Sequence, residues 1–530
     1  PDAIALTCGD QHLTYAQLDT RARHLATTLP HHTVIGIRLG RTTDAIAAMI
    51  ATWYAHSAYL PLDPDYPQAR LDYMTHDSGA ALVLTPDGPL PGTTTTPTTT
   101  TDTAYLIYTS GSTGTPKGVT VPHTALATRT TWMRQEYGLQ PGDRIVQFAS
   151  HSFDTHVEEI FPALASGARI TLLPDGPLTL TDHLTGTTVL DLPTAYWHHL
   201  VDDIHTTPWP TTLRLVILGG EQAHETALTR WHHHFADRIR LINTYGPTEA
   251  TVIATAAELT PDTTGQPPIG RPIANTHITL LGPHDEPVPP GTPGELCISG
   301  PGLATGYHNR PHLTTQRFPT HHGTRHYRTG DRARLRPDGH LEYLGRLDDQ
   351  IKLRGHRIEP GEIETHLQGR GAIAIHNNTL VAYTAGPPDD LPATLHKTLP
   401  PHLVPTLWIE LDTLPLTPGG KLDRKALPAP THTRDTTTPP RTDAETLVAD
   451  IYADILDTHP IGAHDDFFTL GGHSLLAVKT IARIRTATDI DLPLRTLFDH
   501  RTVEAVAQAL ENALLTELDQ LTDAEADQLL

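Results

Sequence analysis

The stretch Ala104-Tyr105-Leu106-Ile107-Tyr108-Thr109-Ser110-Gly111-Ser112-Thr113-Gly114-Thr115-Pro116-Lys117-Gly118 decides how this chain is read. An apolar run ends in a loop of glycines and hydroxyls, and the loop ends in a lone cation. Residues 104–108 read as a buried strand. Glycines let backbone approach an anion closely, hydroxyls and amides can donate to its oxygens, and Lys117 adds charge. It is not the P-loop of the nucleoside triphosphatases, because Lys117 follows Pro116 and no Ser or Thr comes after it. On its own the string is either an anion-binding loop or a Ser/Gly-rich surface turn.

Outward from that loop, strand and helix patterns alternate. Residues 34–39, 81–84 and 213–218 are short apolar runs, and Thr14 stands where a helix N-cap is expected before Tyr15-Ala16-Gln17-Leu18. This is an α/β pattern. A threonine-rich run at 91–103 reads as a solvated connection. A polar junction falls at Gly345-Arg346-Leu347-Asp348-Asp349, and residues 349–429 read as a small α+β unit. Linker composition follows at 430–442. Helical periodicity then begins at Asp443 (Leu447, Ile451, Ile455) and recurs at 474–487 and 503–515, which predicts an all-α bundle. The expected division is 1–347, 348–429, a linker at 430–442, 443–515, and an acidic tail at 516–530.

Bulk properties narrow the function. The 530 residues exceed one ordinary domain, and the formal charge of −22 argues against a general nucleic-acid or membrane-surface binder. Cys8 and Cys297 alone build neither a disulfide framework nor a zinc site, so a reducing, cytoplasmic setting is expected. No run is long enough to span a bilayer. The numerous histidines, His232-His233-His234 among them, lack metal-ligand spacing. The opening Pro1-Asp2-Ala3-Ile4 suggests a piece of a longer chain.

The loop does not stand alone. Leu13-Thr14-Tyr15-Ala16-Gln17-Leu18, Leu60-Pro61-Leu62-Asp63-Pro64-Asp65-Tyr66-Pro67, Asn243-Thr244-Tyr245-Gly246-Pro247-Thr248-Glu249, Gly294-Glu295-Leu296-Cys297-Ile298, residues 302–307, Tyr327-Arg328-Thr329-Gly330-Asp331, residues 345–355 and Gly420-Lys421-Leu422-Asp423-Arg424 follow in order. The set resembles the adenylate-forming superfamily, and within it the adenylation domains of nonribosomal peptide synthetases. That resemblance implies attack of a carboxylate on the α-phosphate of ATP with loss of pyrophosphate. Between two anions, positioning and charge neutralisation dominate. By the same resemblance Thr109, Ser110, Gly111, Ser112, Thr113, Gly114 and Lys117 hold the β- and γ-phosphates. Tyr245 packs on adenine, Glu249 binds Mg²⁺, Asp331 takes the ribose hydroxyls with Arg346 nearby, and Lys421 bridges the substrate carboxylate and the α-phosphate. Asp348 is the implied hinge of a mobile small domain. One orientation presents Lys421, and the other presents residues 352–356 for thioester formation. Residues 366–379 look contracted against the family pattern.

Phe153-Asp154-Thr155-His156-Val157-Glu158-Glu159-Ile160-Phe161 matches the start of the family's amino-acid pocket. Carrying its positions across selects Asp154, Thr155, Glu158, Asp191, Ile217, Gly219, Thr244, Val252, Ile253 and Lys421. Asp154 pairs with the α-ammonium. Two further acids in a closed pocket need a partner, so Glu158 and Asp191 point to a cationic side chain. Lysine comes first, then β-lysine, ornithine and arginine. The competing possibility is that one acid faces solvent or pairs with a protein arginine.

Asp465-Asp466-Phe467-Phe468-Thr469-Leu470-Gly471-Gly472-His473-Ser474-Leu475-Leu476 precedes a helix, whose start favours a bound anion. The string resembles the 4'-phosphopantetheine attachment site of peptidyl carrier proteins, with Ser474 as the modified residue. The implied partners are a phosphopantetheinyl transferase, neighbouring synthetase domains and a small MbtH-like activator. Two alternatives are an acyl- or aryl-CoA ligase, and a carrier scaffold loaded in trans. Asp154 and Ser474 argue against the first, and intact Lys117, Glu249, Asp331 and Lys421 argue against the second.

Overall fold

The computed structural model describes residues 1–93, 102–111, 114–173, 177–321, 323–376, 379–430, 438–472 and 474–518. Most of the threonine-rich run, Ser112, Thr113, most of the linker and the end of the acidic tail lie outside the described residues. The chain forms two compact units, residues 1–365 with 393–403, and residues 366–392 with 404–530.

The first unit is built on two large sheets. In one, Arg240–Tyr245, Leu215–Gly219, Val189–Pro193, Arg144–Gln147, Arg169–Leu172 and Ile4–Cys8 run parallel in that order, with antiparallel strands at both edges. In the other, Thr103–Thr109, Ala58–Pro61, Val34–Ile37 and Leu82–Thr85 are parallel, and Lys117–Pro122 turns back antiparallel on Thr103–Thr109. Parallel strands bury both faces, which explains their continuous apolar runs. Their side chains, Ile37, Ile145, Ile170, Ile217 and Ile242 among them, share one core with helical residues such as Met49, Val157 and Ile160. The helix Tyr15–Ala26 begins at the expected cap: Thr14 accepts from the Gln17 amide, and the Gln17 side chain accepts from the Thr14 amide.

A third, antiparallel sheet holds His277–Leu281, Gly294–Ser299, Thr324–Leu335 and Leu341–Arg346. A two-stranded hairpin, Ile351–Leu353 with His356–Ile358, follows and belongs to the first unit.

In the second unit, Gly371–His376, Thr379–Ala385 and Leu407–Leu411 form a three-stranded sheet over Ala372, Val381, Tyr383 and Leu427. Only a short turn separates the helix Pro360–His366 from the strand Gly371–His376. Among the described residues, four helices follow the linker: Asp443–Leu456, Ser474–Thr488, Leu494–Asp499 and Val503–Leu518. Val448, Ile451, Tyr452, Phe467, Ile484 and Val506 form their core, as the 3.6-residue spacing of the first helix requires. The fold is therefore an α/β adenylate-forming large domain, a small α+β lobe and a helical carrier bundle. Among the described residues, no helix is long and apolar enough to cross a membrane.

Candidate active site

The parallel strands deliver the site. Asp191 and Ile217 lie within neighbouring strands, and Gly219, Thr244 and Tyr245 at their carboxyl ends, the edge where open α/β sheets bind ligands. The glycine loop leaves the carboxyl end of Thr103–Thr109, in the other large sheet of the same unit.

That loop is tightly drawn. A Cβ on Gly111 would fall 2.0 Å from the Thr115 carbonyl oxygen. Gly114 has φ of +86°, and a Cβ there would fall 2.4 Å from Thr365 Oγ1. Glycine is required at both places by space, and at Gly114 also by backbone conformation. The Gly111 amide donates to Glu362 Oε2 at 3.1 Å, and Ser110 donates to the Arg357 carbonyl at 2.7 Å. Thr109 Oγ1 is buried without a hydrogen-bond partner, and a phosphate oxygen would satisfy it.

Lys117 is buried, with its ammonium 5.1 Å from the centre of the Tyr307 ring. Burial pulls its pKa down to about 8, with repulsion from Arg357 adding and Glu249 opposing. Glu249 lies in a short 3-10 turn, fully buried. Burial pushes its carboxyl up, but Arg357 and Lys117 outweigh burial and hold it at about 2. Tyr307 donates to Glu249 Oε1 at 2.7 Å and Arg357 Nη1 to Oε2 at 2.9 Å. A carboxylate held ionised beside a phosphate loop fits Mg²⁺, which takes one or two protein carboxylates plus substrate oxygens. Among the described residues, no cluster of three or more His, Cys, Asp or Glu could hold a metal by itself.

Asp331 sits within the strand Thr324–Leu335, not at a turn cap. It is opposite Arg346 in register, and Arg346 Nη1 donates to its Oδ1 at 2.8 Å. Tyr245 donates to Asp331 Oδ2 at 2.5 Å. The Lys352 ammonium lies 3.9 Å from the same oxygen and 5.1 Å from the Tyr245 ring centre. Arg346 also grips Asp348 through both oxygens, at 2.6 and 2.7 Å. The structure thus brings together the phosphate loop, Lys117, Tyr245, Glu249, Asp331, Arg346 and Asp348.

The positions expected to line an amino-acid pocket lie in the same unit, Lys421 excepted. Asp154 precedes the helix Thr155–Ser166, and burial pushes its carboxyl up to about 6, with a hydrogen bond from Thr248 opposing. Thr155 is half-buried, and Ile217, Thr244, Val252 and Ile253 are buried. A Cβ on Gly219 would come 3.0 Å from Thr244 Oγ1, so glycine keeps that space open. Val252 has φ of +69°, a strained conformation for a β-branched residue. Glu158 and Asp191 are both buried. Burial raises Glu158 to about 8, with the hydrogen bond from Tyr137 opposing. Burial also raises Asp191 well above the carboxylate range, and Glu158 and Glu159 add to it. Asp191 Oδ2 has no hydrogen-bond partner.

Two residues belong to the second unit. Lys421 is exposed at the tip of a hairpin in which the Thr417 amide donates to the Lys421 carbonyl at 2.7 Å, with Gly420 at φ of +77°. Ser474 begins the helix Ser474–Thr488. Sequence reading missed Arg357, Glu362 and Tyr137. Arg357 follows the segment 352–356 directly, and only its contact with Glu249, 108 residues away in sequence, reveals it.

Comparison with known proteins places the chain among relatives of both its parts. Residues 1–308 match the family described as AMP-binding enzyme, and residues 446–510 match the phosphopantetheine attachment site. The chain is 38% identical to bacitracin synthase 3 of Bacillus licheniformis, over 99% of this chain and 9% of that protein. It is 35% identical to tyrocidine synthase 1 of Brevibacillus parabrevis, over 96% of this chain and 51% of that one. The chain therefore spans at most about half the length of these curated relatives. The structure resembles holo-PA1221, a nonribosomal peptide synthetase protein with adenylation and PCP domains, with a TM-score of 0.78 and 27% identity. That match covers 97% of this chain and 94% of the other.

Proposed function

The chain belongs to the AMP-binding enzyme family, and from that premise we propose that it activates a basic amino acid with ATP and loads it onto its own carrier domain. Lysine is the first candidate, then β-lysine, ornithine and arginine. A substrate carboxylate oxygen attacks the α-phosphorus, the bond to the bridging oxygen of the β-phosphate breaks, and pyrophosphate leaves with its electron pair. Lys117 and the loop 109–114 neutralise the β- and γ-phosphates, with Thr109 Oγ1 as an open donor. Tyr245 supports the adenine, and Asp331 accepts from the ribose hydroxyls, held by Arg346. Glu249 would hold Mg²⁺, which when bound supplies further charge neutralisation. Lys421 is assigned to the carboxylate and α-phosphate. The pantetheine arm expected on Ser474 supplies the thiol that accepts the acyl group.

Residues 1–347, 348–429 and 443–515 are assigned as large lobe, mobile small lobe and carrier, with Asp348 as hinge. Arg357 on Glu249 and Lys352 beside Asp331 support a thioester-forming arrangement of the hairpin. A phosphopantetheinyl transferase and neighbouring synthetase domains are the expected partners.

The observation that carries the substrate class is Asp191 Oδ2, buried and unpaired beside a second buried acid, Glu158. A cation repairs that arrangement. The test is pyrophosphate exchange over a panel of amino acids: a basic one should lead, and a lead for Phe, Leu or Glu would refute the assignment.

A further inference from the structure

Tyr137 is absent from the pocket positions, yet its hydroxyl donates to Glu158 Oε1. It caps the helix His123–Glu136, its amide bonded to the Met133 carbonyl at 3.0 Å. Its carbonyl accepts from Arg214 Nη1 at 3.0 Å, and Asp143 fixes that guanidinium through both oxygens, at 3.0 and 2.7 Å. The ring is 1% exposed and meets Trp132 edge-on at 5.8 Å. Backbone and ring are therefore both held, and the hydroxyl is committed to Glu158.

The acceptors that remain can be separated. Glu159 is saturated by the protein, taking the Phe148 and Ala149 amides at 2.9 and 3.0 Å on Oε1 and Gln147 Nε2 at 2.8 Å on Oε2. Glu158 has one oxygen taken by Tyr137, and Asp191 Oδ2 has none. A guanidinium is recognised best by a carboxylate whose two oxygens are both free for its parallel N–H pair. An ammonium has three diverging donors and needs only single acceptors from different groups.

We propose that Tyr137 is a positioning residue for substrate specificity: by sharing one oxygen of Glu158 it denies a guanidinium an unshared two-oxygen grip on that carboxylate, and it leaves the other oxygen, with the unpartnered Asp191 Oδ2, to a side-chain ammonium. This rests on Glu158 and Asp191 forming the side-chain pocket. It places lysine, β-lysine and ornithine ahead of arginine.

The experiment compares the full chain with Tyr137→Phe in pyrophosphate exchange, titrating L-lysine and L-arginine separately, with lysine and arginine binding measured by calorimetry. In the parent, lysine should exceed arginine. Losing one buried hydrogen bond to a charged group should raise KM for lysine ~10-fold with kcat little changed. The freed oxygen should also raise the arginine-to-lysine ratio of kcat/KM by a similar factor. A purely structural role would depress both substrates alike and leave that ratio unchanged, which would overturn the proposal. A parent that prefers arginine would also overturn it while leaving the basic-substrate reading intact. A parent that prefers a non-basic amino acid would overturn both.

Discussion

Glu158→Gln keeps the shape of the pocket and removes one of its charges, so its effects separate electrostatics from packing. In the absence of substrate, burial raises the Glu158 carboxyl from 4.5 to about 8. The folded state then binds a proton that the unfolded chain releases, so stability falls as pH rises between those values. The penalty is absent below the unfolded pKa and complete above the folded one. A tenfold rise in proton affinity corresponds to about 1.4 kcal/mol, so the rise from 4.5 to about 8 corresponds to a penalty on the order of 5 kcal/mol. Glu158→Gln should therefore melt several degrees above the parent at pH 8.5, with the difference vanishing near pH 5. Lysine should reverse the order. It should stabilise the parent strongly and the variant weakly, because removing one partner of a buried ion pair costs about 3 kcal/mol or more, ~100-fold in kcat/KM. Thermal unfolding with and without 10 mM-scale lysine (about that level suffices for a weak binder), paired with pyrophosphate exchange, reads both quantities. A variant no more stable than the parent at pH 8.5, or one that activates lysine as well, would refute the shared-cation pocket.

Arg357→Ala strips one of the two compensating cations, the one hydrogen-bonded to fully buried Glu249, and should cost about 3 kcal/mol of stability, measured by denaturant unfolding. Aminoacyl transfer to the carrier should fall further than pyrophosphate exchange in that variant. Ser474→Ala should show no pantetheine adduct by intact mass after transferase treatment, while exchange stays near the parental rate. Asp348→Pro restricts the backbone at the assigned hinge and removes the carboxylate that grips Arg346. Single-turnover loading should slow at least ~10-fold while adenylate formation persists; equal retention of both half-reactions would count against a hinge there.

Much of this was legible in the sequence because the information is local. The strand before the glycine loop, the Thr14 cap, the helix starting at Asp443 and the helix start at Ser474 depend on neighbours within a few residues, and the structure reproduces each. The ordered motifs also named Lys117, Glu249 and Asp331, which meet in one unit. Arg357 and Glu362 were not legible. Each is an ordinary charged residue until folding buries it against a partner far away in sequence, Glu249 for the first and Arg70 and Gly111 for the second.

The sequence by itself therefore determined the fold class, the order of domains and the glycine loop after its strand, because periodicity and glycine spacing act over short range. Only the tertiary structure decided which acids are satisfied and which are not. Glu158 and Glu159 are adjacent and chemically alike. Yet Glu159 is saturated by the backbone at 148–149 and by Gln147, while Glu158 meets Tyr137 and lies close enough to Asp191 to raise its pKa. That difference comes from the different directions in which successive residues leave a helix and from what the sheet places on each side. It satisfies one carboxylate within the protein and leaves the other with one side-chain donor, Tyr137.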